Sequence, residues 1–236
     1  MQKEKFETGI KGLDEVFKGG IIPPCNILLE GNFQTIKTLG MQFIYEGIVK
    51  YNQPAVMMFY EYSPQKLFND SAKYGWDFFK PQEEGKLEII YAVPETLVKT
   101  LNQRDNILTE TSEKIKAKRA LIDISYLRNY ADEDHVMQGK LNRFFTGLKE
   151  LELVTMLIQE KYVTEITVLE KYLVDILINF DMVKTKEGKQ QEFIEIKRSA
   201  HQDIIVGKHQ LKMNRNGAEI IPYFSEIAEK KEGPKG

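Results

Sequence analysis

The stretch that most constrains the fold lies near the N-terminus, where a short apolar run stops at a glycine and a helical pattern follows. The run from Ile27 to Leu29 predicts a buried strand that ends by Gly31, and Lys37-Thr38 open an apolar helical periodicity. A glycine six residues before a Lys-Ser/Thr pair is the frame of a phosphate-binding loop, in which backbone amides and a helix N-terminus surround phosphates. The sequence therefore predicts a strand, a loop and a helix in that order.

This stretch departs from the phosphate-loop pattern at one defining position. Ile36 stands where the pattern has a glycine before the lysine. Glycine suits that position because the backbone must lie against the phosphates, whereas isoleucine is β-branched and stiff. A strained position costs roughly 1–3 kcal/mol, and about 1.4 kcal/mol changes an affinity tenfold. We therefore expect nucleotide binding at this segment to be weak or absent.

Apolar strands alternate with helical patterns through most of the chain. After the first strand, strands are predicted at residues 55–60, 87–91, 120–124 and 153–158, with helices at 37–51, 64–74, 94–117 and 134–150. This alternation predicts an α/β fold with a mostly parallel central sheet flanked by helices. Hairpin patterns at 174–184 with 192–198, and at 209–213 with 219–222, predict a C-terminal antiparallel extension. We expect one domain over 1–227 and a charged tail over 228–236.

Charge and cysteine content indicate the setting in which the protein works. A formal net charge of −2 gives no general attraction to nucleic acid or to an anionic membrane. The single cysteine, Cys25, leaves no internal disulfide framework. We expect a cytoplasmic protein with neither a membrane nor a nucleic-acid partner. The densest basic cluster is interpreted as the solvated end of a helix, and it comprises Lys114, Lys116, Lys118 and Arg119.

Two acidic residues accompany the ends of apolar strands. Glu61 follows the second predicted strand, and Asp123 lies near the end of the fourth. Ligands of open α/β sheets bind outside the carboxyl ends of the strands, so both would face the phosphate loop. One such acid can hold Mg²⁺ and another can activate water. Each also has a structural interpretation: Lys37-Thr38 as an ordinary helix start, Asp123 as a turn cap, and Glu61 as an exposed strand-end carboxylate.

Several segments together resemble the KaiC-like branch of the RecA superfamily of P-loop ATPases. They run over nearly the whole chain and comprise Thr8-Gly9-Ile10-Lys11-Gly12-Leu13-Asp14, Gly19-Gly20-Ile21, Gln42-Phe43-Ile44-Tyr45-Glu46-Gly47, Ser63-Pro64-Gln65, Tyr74-Gly75-Trp76-Asp77, Glu84-Gly85-Lys86-Leu87 and residues 194–201. The resemblance implies a RecA-like P-loop NTPase fold, and ATP and Mg²⁺ as ligands. It also implies a homo-oligomer, either a ring or a dimer, with nucleotide between subunits. A protein partner of regulatory type is compatible with the resemblance.

The resemblance also implies roles for individual residues. The implied nucleotide-binding residues are Gly31, Asn32, Phe33, Gln34, Thr35, Ile36, Lys37, Thr38 and Leu39, and Thr38 and Asp123 are the implied Mg²⁺-associated pair. Glu61 occupies the first of two family glutamates, the one implied to activate water, and Tyr62 replaces the second. On a late strand, His201 matches a residue implied to contact the neighbouring subunit's nucleotide. Beside it, Lys197 replaces an arginine and Glu195 replaces a lysine.

These matches and departures support two functional hypotheses. The first is a pseudo-ATPase, a regulatory or scaffold protein that binds ATP weakly or not at all. It is favoured by Gln34 and Ile36, where the resembled family has glycines, and by Tyr62 and Glu195. The second is a slow KaiC-like ATPase acting at subunit interfaces, and it is favoured by Lys37, Thr38, Asp123 and Glu61. A recombinase-like DNA binder is a weaker third hypothesis because the chain has no basic stripe. We favour the first, because its four departures all move away from phosphate chemistry.

Overall fold

The computed structural model describes residues 4–60, 63–93, 103, 105–125, 134–160, 171, 173–184 and 190–222. Glu61 and Tyr62 lie outside the described residues, as does the predicted tail over 228–236. The roles predicted for them therefore stay predictions.

Helices and strands alternate along the described chain, much as the sequence predicts. In chain order they are α1 (Leu13–Val16), β1 (Cys25–Gly31), α2 (Phe33–Tyr51), β2 (Ala55–Tyr60), α3 (Pro64–Ala72), α4 (Phe79–Glu83), β3 (Leu87–Ala92), α5 (Ile107–Ile115), β4 (Arg119–Asp123), α6 (Asp134–Glu150), β5 (Val154–Glu160), β6 (Ile176–Lys184), β7 (Gln190–Ser199), β8 (Lys208–Asn214) and β9 (Gly217–Ile221).

The strands form a sheet with the order β3-β2-β4-β5-β1-β6-β7-β8-β9. Each neighbouring pair from β3 to β6 is parallel. The pairs β6–β7, β7–β8 and β8–β9 are antiparallel. The predicted fold class, a mostly parallel sheet with an antiparallel C-terminal extension, is confirmed.

Alternate residues of β1 enter two hydrophobic cores on opposite faces of the sheet. Ile27 and Leu29 belong to the core that includes Phe43 of α2. Leu28 belongs to the other core, which includes Leu141 of α6. Helices therefore cover both faces, as expected for parallel strands that are apolar through their length. Among the described residues, no helix is long and apolar enough to cross a bilayer.

Three predictions about local structure are wrong. In place of the helix predicted over 94–117, the described residues have α5 over Ile107–Ile115, capped by Asn106, while residues 94–102 and 104 lie outside the described residues.

The other two wrong predictions concern buried side chains. The helix predicted from Lys37 begins at Phe33, because Asn32 caps it and Ile36 is fully buried. Arg119 is not at a solvated helix end: α5 ends at Ile115, and Arg119 is the fully buried first residue of β4.

Candidate functional site

The carboxyl ends of the central parallel strands bring the predicted loop and the predicted acid to one edge of the sheet. Gly31 is the last residue of β1 and lies in register with Glu160, the last residue of β5. Asp123, the last residue of β4, lies in register with Ile158 of β5. Because only Asn32 separates β1 from α2, the N-terminus of α2 lies at this same edge.

The segment that the motif assigns to a phosphate loop forms the first turn of α2. The Asn32 side chain caps the helix and accepts the Gln34 N–H at 3.0 Å. The Asn32 carbonyl accepts the Ile36 N–H at 3.1 Å. In the next turn, the Thr38 hydroxyl donates to the Gln34 carbonyl at 2.8 Å. Two amides that a phosphate loop would direct at its ligand are thus already bonded within the helix.

Ile36 and Leu39 from this segment are part of the protein core. Both side chains are fully buried and belong to the same core as β1. Gly31 lies close against Ile36 and Phe180: a Cβ at Gly31 would lie 3.3 Å from Ile36 Cγ2 and 2.5 Å from Phe180 Cβ. The position that the motif reserves for a phosphate-facing glycine therefore carries a side chain that faces away from solvent.

Lys37, the lysine of the motif, forms a buried ion pair. Its Nζ lies 2.9 Å from Asp70 Oδ2 and 3.1 Å from Gln34 Oε1. Lys73 Nζ contacts the other oxygen of Asp70 at 2.7 Å. Burial lowers the pKa of Lys37, while the hydrogen bond and charge of Asp70 oppose that shift. The ammonium group is thus neutralised by a carboxylate of the same chain.

Asp70 is a site residue that sequence reasoning missed, although the sequence contains a signal for it. Leu67, Asp70 and Ser71 are all buried in α3, at the i, i+3 and i+4 spacing of one helix face. A carboxylate on the buried face of a helix requires a partner, because an unpaired charge is costly to bury. The partner is Lys37, 33 residues earlier in the chain.

Asp123 is 2% exposed at the end of β4, and its Oδ1 accepts the Ser125 N–H at 3.0 Å. Burial raises the pKa of Asp123 to about 6; the hydrogen bonds from Ser125 oppose the shift, and the charge of Glu160 adds to it. Mg²⁺ prefers oxygen ligands and usually keeps several waters. The predicted Mg²⁺-associated oxygens are the Asp123 carboxylate and the hydroxyl of Thr38, a residue that is 3% exposed, and they would hold the ion if it bound at this edge.

We expect Asp123→Asn to stabilise the protein above pH 6, although Asp123 is a candidate functional residue. Between about pH 3.8 and 6, the native state of the parent retains the Asp123 proton that the unfolded state has lost. The stability that the protonated Asp123 contributes is therefore full below pH 3.8 and is lost as the pH rises through 6. Removing the buried charge should raise the free energy of unfolding by about 1–3 kcal/mol at pH 8. At pH 5 the gain should be about half as large.

Urea unfolding in EDTA at both pH values measures this gain. Asp203→Asn is the control, since the Asp203 side chain is 91% exposed. Equal gains for Asp123→Asn at pH 5 and pH 8 would contradict the buried-charge explanation.

An acidic cleft adjoins the N-terminus of α2. It has a volume of about 190 Å³ and is lined by Asn32, Thr35, Phe180, Asp181, Met182, Glu192 and Leu211. The Thr35 hydroxyl lies 3.4 Å from Glu192 Oε1. Asp181 also lies 3.7 Å from Lys208. Glu192 therefore places a carboxylate beside the helix end at which the motif would hold an anion.

Lys197 and His201 do not approach Lys37 within the chain. Ser199 of β7 lies in register with Ile176 of β6, which is level with Ile27 near the amino end of β1. His201 follows Ser199 and lies 3.2 Å from Asp175 Oδ1. The register of β7 skips Lys197, whose Nζ lies 2.7 Å from Glu195 Oε2. Their predicted contact with a nucleotide therefore requires a neighbouring subunit.

Histidine, cysteine and acidic side chains do not form a metal centre by themselves in the described ranges, where no group of three or more is placed to hold an ion.

Comparisons with known proteins agree over almost the whole chain. A family model described as "ATPase: KaiC" matches residues 6–224. The circadian clock oscillator protein KaiC of Synechococcus elongatus is 27% identical over 237 residues, which cover 92% of this chain and 44% of that protein. The circadian clock protein KaiC2 of Synechocystis sp. is 28% identical over 235 residues, which cover 94% of this chain and 41% of that protein. The chain thus spans less than half the length of these curated relatives.

The crystal structure of a KaiC-like protein from the archaeon Pyrococcus horikoshii OT3 has the same fold. It superposes with a TM-score of 0.81 at 25% sequence identity, covering 93% of this chain and all of that one. The family match, the shared fold and the order of the motif elements lead to one conclusion: this chain belongs to the KaiC ATPase family.

Proposed function

We propose that this KaiC-family chain is a pseudo-ATPase, a regulatory or scaffold protein of RecA-like fold whose phosphate loop is degenerate. It binds ATP weakly or not at all and acts through contacts with other proteins. The observation that carries the proposal is that Phe33–Ile36 form a capped helical turn, with Ile36 in the core, where an open loop would be needed.

A triphosphate could bind at this segment only after several native interactions were broken. The first turn of α2 would have to open, which would release Ile36 from the core. Exposing an isoleucine side chain costs about 1.5–3 kcal/mol. That alone weakens an affinity by roughly ten- to a hundredfold. The buried Lys37–Asp70 pair would add to this cost.

The acids around the segment support the same proposal. Asp181 and Glu192 line the cleft beside Asn32 and Thr35, at the helix end to which phosphates would be attracted. Like charges repel more strongly near a protein surface than in bulk water. An anionic ligand in this cleft would lie beside the carboxylate of Glu192 and that of Asp181, which has Lys208 at 3.7 Å.

A slow ATPase acting at subunit interfaces is the alternative, and the placement of Asp123 favours it. A buried acid at the carboxyl end of β4 opposes folding above pH 6, and an Mg²⁺ ion beside Thr38 would relieve that cost. In this alternative Glu61 activates water, and Lys197 and His201 reach a neighbour's nucleotide within a ring or a dimer. The slow-ATPase alternative therefore requires a homo-oligomer. The pseudo-ATPase proposal is compatible with a dimer, with a ring or with a complex that includes another protein partner.

We expect calorimetry with Mg-ATP to give a dissociation constant of about 1 mM or weaker, or no heat of binding. The expectation follows from the cost of opening the first turn of α2. Lys37→Met is the control, because it removes the cation without leaving space at a buried position. One-site binding in the micromolar range that Lys37→Met abolishes would contradict the proposal. Turnover that Glu61→Gln abolishes while nucleotide stays bound would then establish the alternative.

A further inference from the structure

Asp70 is a carboxylate shared by two lysines from different parts of the fold. Its Oδ2 lies 2.9 Å from Lys37 Nζ, and its Oδ1 lies 2.7 Å from Lys73 Nζ. The Lys37 side chain is 0% exposed and that of Asp70 is 11% exposed, whereas the Lys73 side chain is 66% exposed. One oxygen therefore holds a buried cation and the other holds a cation at the surface.

The carboxylate of Asp70 offers Lys37 what a phosphate would offer. Both are anionic groups whose oxygens accept charge-assisted hydrogen bonds from an ammonium group at about 2.7–2.9 Å. A phosphate-loop lysine reaches the outer phosphates of a bound nucleotide. In this chain the same lysine is occupied by a carboxylate from α3, so a nucleotide can engage Lys37 only by displacing Asp70.

Lys73 lowers the energetic cost of displacing Asp70 from Lys37. If Lys37 turned toward a phosphate, Asp70 would retain the ion pair with Lys73 and would not be left as an uncompensated charge. Breaking a buried pair is most costly when one partner stays unpaired. Here both partners would have a counter-charge in the open state, one from the nucleotide and one from Lys73.

We propose that Asp70 competes with the nucleotide triphosphate for Lys37, and that this ion pair lowers the ATP affinity of the site further than the opening of α2 does. The inference rests on the proposed function, because it explains weak binding by a contact that a single substitution removes. Asp70 is a residue that determines affinity through Lys37, and it is not a catalytic residue.

Mg-ATP calorimetry on Asp70→Asn tests the inference. The substitution removes the carboxylate charge with little change in shape, so the dissociation constant should fall at least tenfold relative to the parent. Asp77→Asn is the matched control, since Asp77 is an exposed acid in the connection between α3 and α4, and its Oδ1 accepts the Phe79 N–H at 2.9 Å. Its constant should stay within twofold of the parent's.

The double variant Asp70→Asn/Lys37→Met separates competition for Lys37 from a general change in charge. It should bind Mg-ATP no better than the parent, because the tighter binding acts through the released ammonium. An unchanged constant in Asp70→Asn would overturn the inference. A double variant that binds as tightly as Asp70→Asn would also overturn it.

Asp70→Glu covers the case in which Asp70→Asn does not fold, since it keeps a carboxylate close to both lysines but lengthens the side chain and so weakens its pair with Lys37. The extra methylene shifts the carboxylate, so its dissociation constant should lie below the parent's by more than twofold. An Asp70→Glu constant within twofold of the parent's would overturn the inference. A different result would contradict the proposed function: micromolar binding of Mg-ATP by the parent protein itself, whatever the affinities of the variants.

Discussion

Replacing Arg119 with methionine is expected to lower the free energy of unfolding by about 3–5 kcal/mol. The side chain is fully buried and donates from all three of its nitrogens. One terminal nitrogen donates to the carbonyls of Thr8 and Phe43, both at 2.9 Å, and the other donates to the carbonyl of Glu7 at 2.6 Å. Nε donates to Gln53 Oε1 at 2.8 Å. Methionine would leave the buried carbonyls of Thr8 and Phe43 without this donor, and each unsatisfied group costs about 1–3 kcal/mol.

Aromatic rings enclose the same guanidinium group. Its central carbon lies 4.6 Å from the ring centre of Phe6, 4.4 Å from that of Phe43 and 5.5 Å from that of Tyr51. Desolvated contacts between a cation and a ring face contribute up to about 2 kcal/mol. Gly47 provides the space, because a Cβ at that position would overlap with the Arg119 side chain. Arg119 thus fastens the N-terminal segment and α2 to the start of β4.

Urea unfolding at pH 7 measures the loss, and Lys118→Met provides the control. Lys118 precedes Arg119 directly, but its side chain is half exposed and it lies 3.9 Å from the exposed Glu152 carboxylate. Its replacement should change the free energy of unfolding by less than about 0.5 kcal/mol. If Arg119→Met proved as stable as Lys118→Met, the buried network would not exist in solution.

Arg119 illustrates which features of this fold a sequence can predict and which it cannot. The elements themselves were predictable because their signals are local: period-two and period-3.6 patterns, caps and turn residues. The helix Asp134–Glu150 was predicted with the bounds that the structure has. The partners of Arg119 are not local. Thr8 lies 111 residues away and Phe43 lies 76 residues away, while the basic residues that precede Arg119 most closely, Lys116 and Lys118, are exposed.

The candidate site likewise has parts that the sequence can predict and parts that it cannot. Asp123 and the segment that follows β1 could be placed at one sheet edge because parallel strands share their carboxyl ends. The Lys37–Asp70 pair could not, because it joins two helices that meet only in the folded protein. The early start of α2 did have a signal. Ile36, Leu39 and Phe43 follow the i, i+3, i+7 spacing of one apolar helix face, so the residue that breaks the phosphate motif also extends the helix.

Ile36→Gly is expected to lower the free energy of unfolding by about 3–6 kcal/mol, although it restores a glycine of the phosphate-loop pattern. Removing a fully buried isoleucine side chain costs about 2–5 kcal/mol. A glycine inside a helix costs about 1 kcal/mol more. Ile36 is 0% exposed and lies in the first turn of α2, so both costs apply. The measurement is urea unfolding without nucleotide, followed by ATP turnover at a temperature at which the variant stays folded.

Gln34→Gly is the control, because it also places a glycine in the first turn of α2. Gln34 is exposed, and its side-chain contact is an acceptor 3.1 Å from Lys37, so its replacement should cost no more than about 1–2 kcal/mol. Equal costs for the two variants would mean that Ile36 does not lie in the core in solution and that the segment is an open loop. A several-fold rise in turnover for Ile36→Gly would then favour the slow ATPase. A large loss of stability without turnover is the result that the pseudo-ATPase requires, because Asp70 still occupies Lys37 after the glycine is restored.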